Sequence, residues 1–232
     1  MPYIKERGST GPIPSVPFNQ PKNLFRYGEQ SLWSTQFFTA NVAIANGTNR
    51  LFTTPLGQVG QGFTNSLSIG ETNIKESGRI PSGIAYDVFG VSCSMASASA
   101  AGDTGTLGSA IDTQGKIDNL LNLESNGVLS WDFTQTQVDI APIVLIGSGG
   151  GAFGAVASDD SGAAGVVNSG HLNNGAGSVW LYRKHPVALP GNSTFSILLR
   201  FGSRADLPAT GDDGFAVRVT LLGYYKNVIE IG

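Results

Sequence analysis

The sequence predicts an all-β fold: an antiparallel β-sandwich, a single eight-stranded jelly roll with long end-loops and an extended N-terminal arm. Three observations point there. Apolar and polar residues alternate with a period of two in one segment after another, as in half-buried antiparallel strands. Charged residues make up 13% of the chain, about half the roughly 25% of ordinary soluble domains, while its 32 glycines are about twice the usual share. A chain so poor in Lys and Glu has little with which to dress helix surfaces. The connections between periodic segments are long, and such loops in compact domains usually belong to a functional or interacting surface.

The 232 residues are enough to bury a large core in one domain. Residues 1–32 read as the arm and 33–232 as the sandwich. Pro2, Pro12, Pro14, Pro17 and Pro21 forbid helix and favour extended, solvated backbone. A plain linker would lack the aromatic residues found between those prolines. The arm is therefore expected to become ordered against its own body or a neighbouring subunit, with Tyr3, Lys5, Arg7, Phe18, Phe25, Arg26 and Tyr27 as contact residues.

The strands follow in order. Phe37–Ile44 is closed by the hairpin dipeptide Asn46-Gly47 and leads into Arg50–Thr54. Ile84–Met95 alternates, with Phe89, Val91, Cys93 and Met95 on one face and Tyr86 and Val88 on the other. Val128–Phe133, Val138–Ile146 and Ser178–Arg183 are three more. Thr194–Phe201 alternates most cleanly, with Phe195, Ile197, Leu199 and Phe201 facing in and Thr194, Ser196, Leu198 and Arg200 facing away. In Phe215–Tyr225, Phe215, Val217, Val219 and Leu221 oppose Arg218 and Thr220. One helix is expected, Lys116–Leu123, from the spacing of Ile117, Leu120 and Leu121. Long loops are expected at Gly57–Ser82, Ala96–Gly115 and Ser148–Gly177.

Net charge is −3, so no general basic field attracts nucleic acid. The first 30 residues are the exception, with Lys5, Arg7, Lys22 and Arg26 against Glu6 and Glu29. Cys93 is the lone cysteine, which excludes an intrachain disulfide framework, and alternation makes it a small core residue. The first residues carry no apolar signal segment, and no apolar run approaches membrane-spanning length.

The stretch "IVLIGSGGGAFG" fits G-x-G-x-x-G at Gly149, Gly151 and Gly154. A dinucleotide turn needs a helix next, whose N-terminus binds the pyrophosphate. Gly162, Gly165 and Gly170 interrupt any such helix, so the stretch reads as a strand and a glycine-rich contact loop. His171 and His185 are too far apart and lack cysteine neighbours for a zinc site. Asp159-Asp160 and Asp212-Asp213-Gly214 lack EF-hand spacing and read as solvated turn acids rather than calcium ligands. Trp33, Trp131 and Trp180 are assigned to core or interface packing rather than to a sugar platform. No catalytic, cofactor or metal residue is nominated, no small-molecule substrate is expected, and the chain is not expected to be an enzyme.

The segments "HPVALPGNSTFSILLRF", "GFAVRVTLLGYYKNVIEIG" and "GRIPSGIAYDVFGVSCSM" resemble in pattern the strands of jelly-roll capsid proteins of tailless icosahedral viruses and bacteriophages. The resemblance covers about half the chain and rests on texture rather than on invariant motifs. It implies a structural virion protein, assembled in the host cytoplasm, whose partners are copies of itself in capsomers. It leaves room for a second capsid or vertex protein. Any contact with packaged genome or an internal membrane would run through Lys5, Arg7, Lys22 and Arg26. The rival reading is a carbohydrate-binding or adhesin-like sandwich, such as a virion spike or receptor-binding protein.

Overall fold

The segments with the cleanest alternation become the central strands of two antiparallel sheets. In the computed structural model of the chain, the described residues are 24–39, 48–98, 107, 122–133, 136–146, 153–159, 167–173, 179–182, 184–202 and 214–229. The strands are β1 (Leu24–Phe38), β2 (Thr48–Leu51), β3 (Ile84–Ser97), β4 (Gly127–Phe133), β5 (Thr136–Pro142), β6 (Phe153–Asp159), β7 (Val167–Asn173), β8 (Trp180–Leu181), β9 (Val187–Leu189), β10 (Phe195–Phe201) and β11 (Phe215–Ile229). In the first sheet β11 lies between β1 and β3, and the far edge of β3 carries both β8 and β9. In the second the order is β2-β10-β4-β5. Strands β6 and β7 form a separate hairpin.

One apolar core joins the two sheets. Val91, Cys93, Met95, Val217, Val219 and Leu221 come from the first, and Leu51, Leu129, Trp131, Ile197, Leu199 and Phe201 from the second. The fold is thus nearly all β and sandwich-like, as expected. The inward residues expected on β10 and β11 are all buried. Within the sandwich the strands pair as nested hairpins: β1 with β11, β2 with β10, β3 with β8 and β9, and β4 with β5. The β11–β3 and β10–β4 ladders then join these pairs sideways.

Several boundaries differ from expectation, each for a local reason. Strand β1 begins at Leu24 rather than Phe37, so residues 24–32 of the expected arm are a strand paired along β11. Residues 40–47, including the Asn46-Gly47 dipeptide, lie outside the described residues. Strand β2 stops at Leu51 because Phe52 takes a left-handed backbone, φ 67, which no extended strand accommodates. Strand β5 ends at Pro142, and Ile143–Leu145 turns as a 3₁₀ helix in which Ile146 N donates to Ile143 O at 2.8 Å. Of the described residues of the expected Ser178–Arg183 strand, 179–182, only Trp180–Leu181 is strand, and β9 was not expected as a separate strand. Residues 122–126 are helical and overlap the expected Lys116–Leu123 helix at 122–123; residues 116–121 lie outside the described residues. The loop expected over Ser148–Gly177 contains the β6–β7 hairpin, with Phe153 opposite Asn173 and Asp159 opposite Val167.

The sharpest correction concerns β3. Leu222 pairs with Gly90 and Gly223 with Val88, so Phe89 is an extra residue bulged out of the ladder. A bulge shifts the alternation by one residue. Tyr86 and Val88, expected opposite Val91, Cys93 and Met95, therefore face the same core, while Phe89 leaves it for the outer side and packs its ring against Tyr224 at 5.0 Å. Gly223 lies at this step, where an added Cβ would sit 2.6 Å from Asp87 O and from the Tyr86 ring.

Candidate interaction surfaces

The chain between β2 and β3 is no slack loop. It docks along the outer edge of β1 and replaces a neighbouring strand there. Ser34 and Thr72 form an antiparallel bridge. Trp33 N donates to Asn73 Oδ1 at 2.9 Å, and Asn73 Nδ2 donates to Ser31 O at 2.8 Å. The Thr35 hydroxyl donates to Glu71 O at 2.8 Å, and Trp33 Nε1 donates to Ile69 O at 3.0 Å. Gln61, at φ 53, donates through Nε2 to Ser34 Oγ and Thr35 O, both at 2.7 Å. Its Oε1 accepts from Thr54 N at 3.1 Å. Gly62 (φ 82) closes the turn, where a Cβ would lie 2.0 Å from Phe37 O. Phe63 packs on Phe37, ring centroids 5.3 Å apart, in a small second core with Ala98 and Ala216. This explains why consecutive residues Phe37 and Phe38 are both buried: Phe38 belongs to the main core and Phe37 to the one beneath the strap. An edge strand left bare invites pairing with other chains, and here the strap covers Ser31–Phe37. It holds Leu56, Val59 and Ile69 out to solvent.

The outer face of the second sheet is a polar lattice. Arg50 of β2 pairs with Asp132 of β4, and Arg200 of β10 pairs with Asp139 of β5 at 2.8 Å. Ser196 Oγ donates to Asp132 at 3.2 Å and Ser130 Oγ to Asp139 at 2.7 Å. Leu198 lies in register between Arg50 and Ser130 amid these groups and is only 3% exposed. The outward side of β10 is therefore covered, where alternation alone predicted solvent. Such partly exposed ion pairs contribute about 0–1 kcal/mol each, so they shape the face more than they stabilise it. The first sheet's outer face carries the Phe89–Tyr224 pair, with Tyr224 47% exposed, and Leu181 of β8, 50% exposed.

Beside β1, where the strap's backbone cover ends, lies a cleft of about 90 Å³. Leu32, Ile80, Ile84 and Tyr225 wall it, and Lys75 and Arg79 stand at it. Neither cation has an acidic partner among the described residues. Sites that hold small molecules run to roughly 300–1,000 Å³, so this one has room for about a single aliphatic side chain.

The residues singled out in the sequence are dispersed. Tyr3, Lys5, Arg7 and Phe18 lie outside the described residues. Phe25, Arg26 and Tyr27 are in β1, paired with Val228, Asn227 and Lys226. Gly149 and Gly151 lie outside the described residues, and Gly154 sits in β6 opposite Leu172, a strand where a phosphate-binding turn needs a helix. His171 is in β7 and His185 is exposed before β9. Asp159 ends β6, while Asp160, Asp212 and Asp213 lie outside the described residues. Among the described residues no three His, Cys, Asp or Glu side chains gather as metal ligands, and no helix is long and apolar enough to cross a membrane. Cys93 is in the core, its thiol pushed up to about 12 by burial and, secondarily, by the Glu124 charge. Trp131 is buried and donates through Nε1 to the Tyr182 hydroxyl at 2.7 Å. Gln61, Asn73, Lys75 and Arg79, which build the strap and the cleft, gave no signal in the sequence, since none belongs to a periodic segment. Comparison with family models, with curated proteins and with solved structures finds no match.

Proposed function

We propose that the chain is a jelly-roll capsid subunit that assembles with copies of itself into a closed shell. One observation carries the reading, the nested pairing. With β8 and β9 taken as one interrupted strand and the β6–β7 hairpin as an insertion, the pairs are first with last, second with seventh, third with sixth and fourth with fifth. A four-pair hairpin rolled into two sheets of order 1-8-3-6 and 2-7-4-5 is the jelly roll, an architecture of viral capsid and lectin domains. Two further features support assembly over free monomers. The strap is rigidly hydrogen-bonded yet presents Leu56, Val59 and Ile69 outward. The arm before β1 carries the aromatic residues Tyr3 and Phe18 and the three cations Lys5, Arg7 and Lys22. Shell subunits gain stability from many symmetric interfaces of modest size each.

Light scattering and negative-stain microscopy of purified protein test the reading. Discrete large assemblies are expected, and removing residues 1–23 should reduce or abolish them; the cut spares β1, which starts at Leu24. A strictly monomeric protein, indifferent to that deletion, would sink the proposal. The exposed Phe89–Tyr224 pair favours one second reading, a glycan-binding sandwich in which a sugar stacks on Tyr224. Binding of the monomer on a glycan array, lost in Tyr224→Ala, would select it.

A further inference from the structure

We propose that the cleft beside β1 receives the segment following β11 of a second copy, with Ile231 seated among Leu32, Ile80, Ile84 and Tyr225 and Glu230 facing Lys75 and Arg79. This rests on the assembly reading above. The strap's backbone pairing along β1 reaches Trp33 and its last hydrogen bond, from Asn73 Nδ2, reaches Ser31 O; no described backbone segment pairs with the outer edge over Gly28–Gln30. Among the described residues, a short length of strand edge is thus left unpaired beside a cleft that fits one aliphatic side chain. Strand addition uses such pairs, with main-chain hydrogen bonds along the edge and a pocket for an alternate side chain.

Charge and sequence select the occupant. Two cations without acidic partners among the described residues favour a segment carrying a carboxylate, and the cationic N-terminal arm is the wrong sign for them. Ile229-Glu230-Ile231 places an acid between two branched apolar residues in direct continuation of a strand, a composition that favours extended pairing. Reach excludes the same copy. Ile229 pairs with Leu24, whereas the cleft lies near Gln30 and Leu32. Six residues of strand separate Leu24 from Gln30, about 20 Å, while Ile231 stands two residues past Ile229, about 7 Å at full extension. The segment must therefore come from another molecule.

The test is a charge swap in the full-length chain, read by sedimentation velocity and light scattering at low and high salt. Lys75→Glu with Arg79→Glu, and separately Glu230→Lys, should each weaken self-association about tenfold or more. Combining all three should restore it, and high salt should erase both effects. The unfolding midpoint of the Lys75/Arg79 variant should be unchanged, since both side chains are exposed. If large assemblies form but ignore the substitutions, the cleft is not the contact and the shell reading survives. If the Lys75/Arg79 variant weakens association but Glu230→Lys does not, the occupant is wrong. If the unaltered protein is monomeric, both proposals fall.

Discussion

Gln61 adopts a backbone conformation that costs a non-glycine residue about 1–3 kcal/mol. It is held there by three side-chain hydrogen bonds and by its own carbonyl, which accepts from Phe37 N at 2.8 Å. Net contributions near 1 kcal/mol per bond put the loss in Gln61→Ala at about 3 kcal/mol by urea unfolding. Gln61→Gly, which relieves the backbone while losing the same bonds, should fall less far. Glu124 gives a second residue-scale prediction. Burial raises its carboxyl above the ordinary value, so the folded state binds that proton more tightly than the unfolded chain does. Its effect on stability is therefore absent below the ordinary carboxylate range and grows as a penalty while pH rises through the raised value. Glu124→Gln should be more stable than the parent at neutral pH and equal to it in acid; a variant less stable at neutral pH would contradict the account.

At the scale of elements, the bulge at Phe89 determines which way half of β3 faces. Deleting Phe89 would remove the extra residue and make Gly90 and Val88 consecutive opposite Leu222 and Gly223, so that Tyr86 and Val88 keep the core facing they now have. We expect both that deletion and Phe89→Ala to unfold cooperatively on heating, at the cost of the Phe89–Tyr224 contact; loss of cooperativity in the deletion would contradict the register. This is also where sequence and structure part. Strands β10 and β11 were legible because each is central and unbulged, so the period of two survives from end to end. Strand β3 was legible as a strand but not in its facing, because one inserted residue resets the phase without altering composition. Strand β5 was misjudged similarly: Leu129 pairs with Ala141 and Ser130 with Asp139, leaving Ile140 extra. The start of β1 was hidden by the prolines just before it. The strap and the cleft were not legible at all, since they depend on which strand edge a turn-rich segment happens to cover.

At the scale of the molecule, the two faces and the edges have different chemistry. The second sheet presents paired charges and hydroxyls, the first an aromatic pair, and β1 an edge closed over Ser31–Phe37 and open below it. A subunit whose edges were all open would polymerise without limit, and one whose edges were all covered would remain alone. On the proposal above, the short opening beside the cationic cleft is a directional contact, which would build a ring or shell when the rotation it imposes closes. The assembly and charge-swap measurements bear on this scale, because a directional contact predicts discrete particles rather than a continuous size distribution.

The nested pairing also has a consequence for synthesis on the ribosome. Among the described strands the first made, β1, pairs with the last, β11, and β3 takes one of its partners from β11 as well. Only β4 and β5 pair as immediate neighbours within the two sheets. The first sheet thus stays open until translation reaches residue 229, and the closing contacts span nearly the whole sequence, the arrangement that slows folding most. Until then the nascent chain has no completed sandwich and no finished cleft. On the assembly reading, translation would thereby delay self-association until β11 has been made.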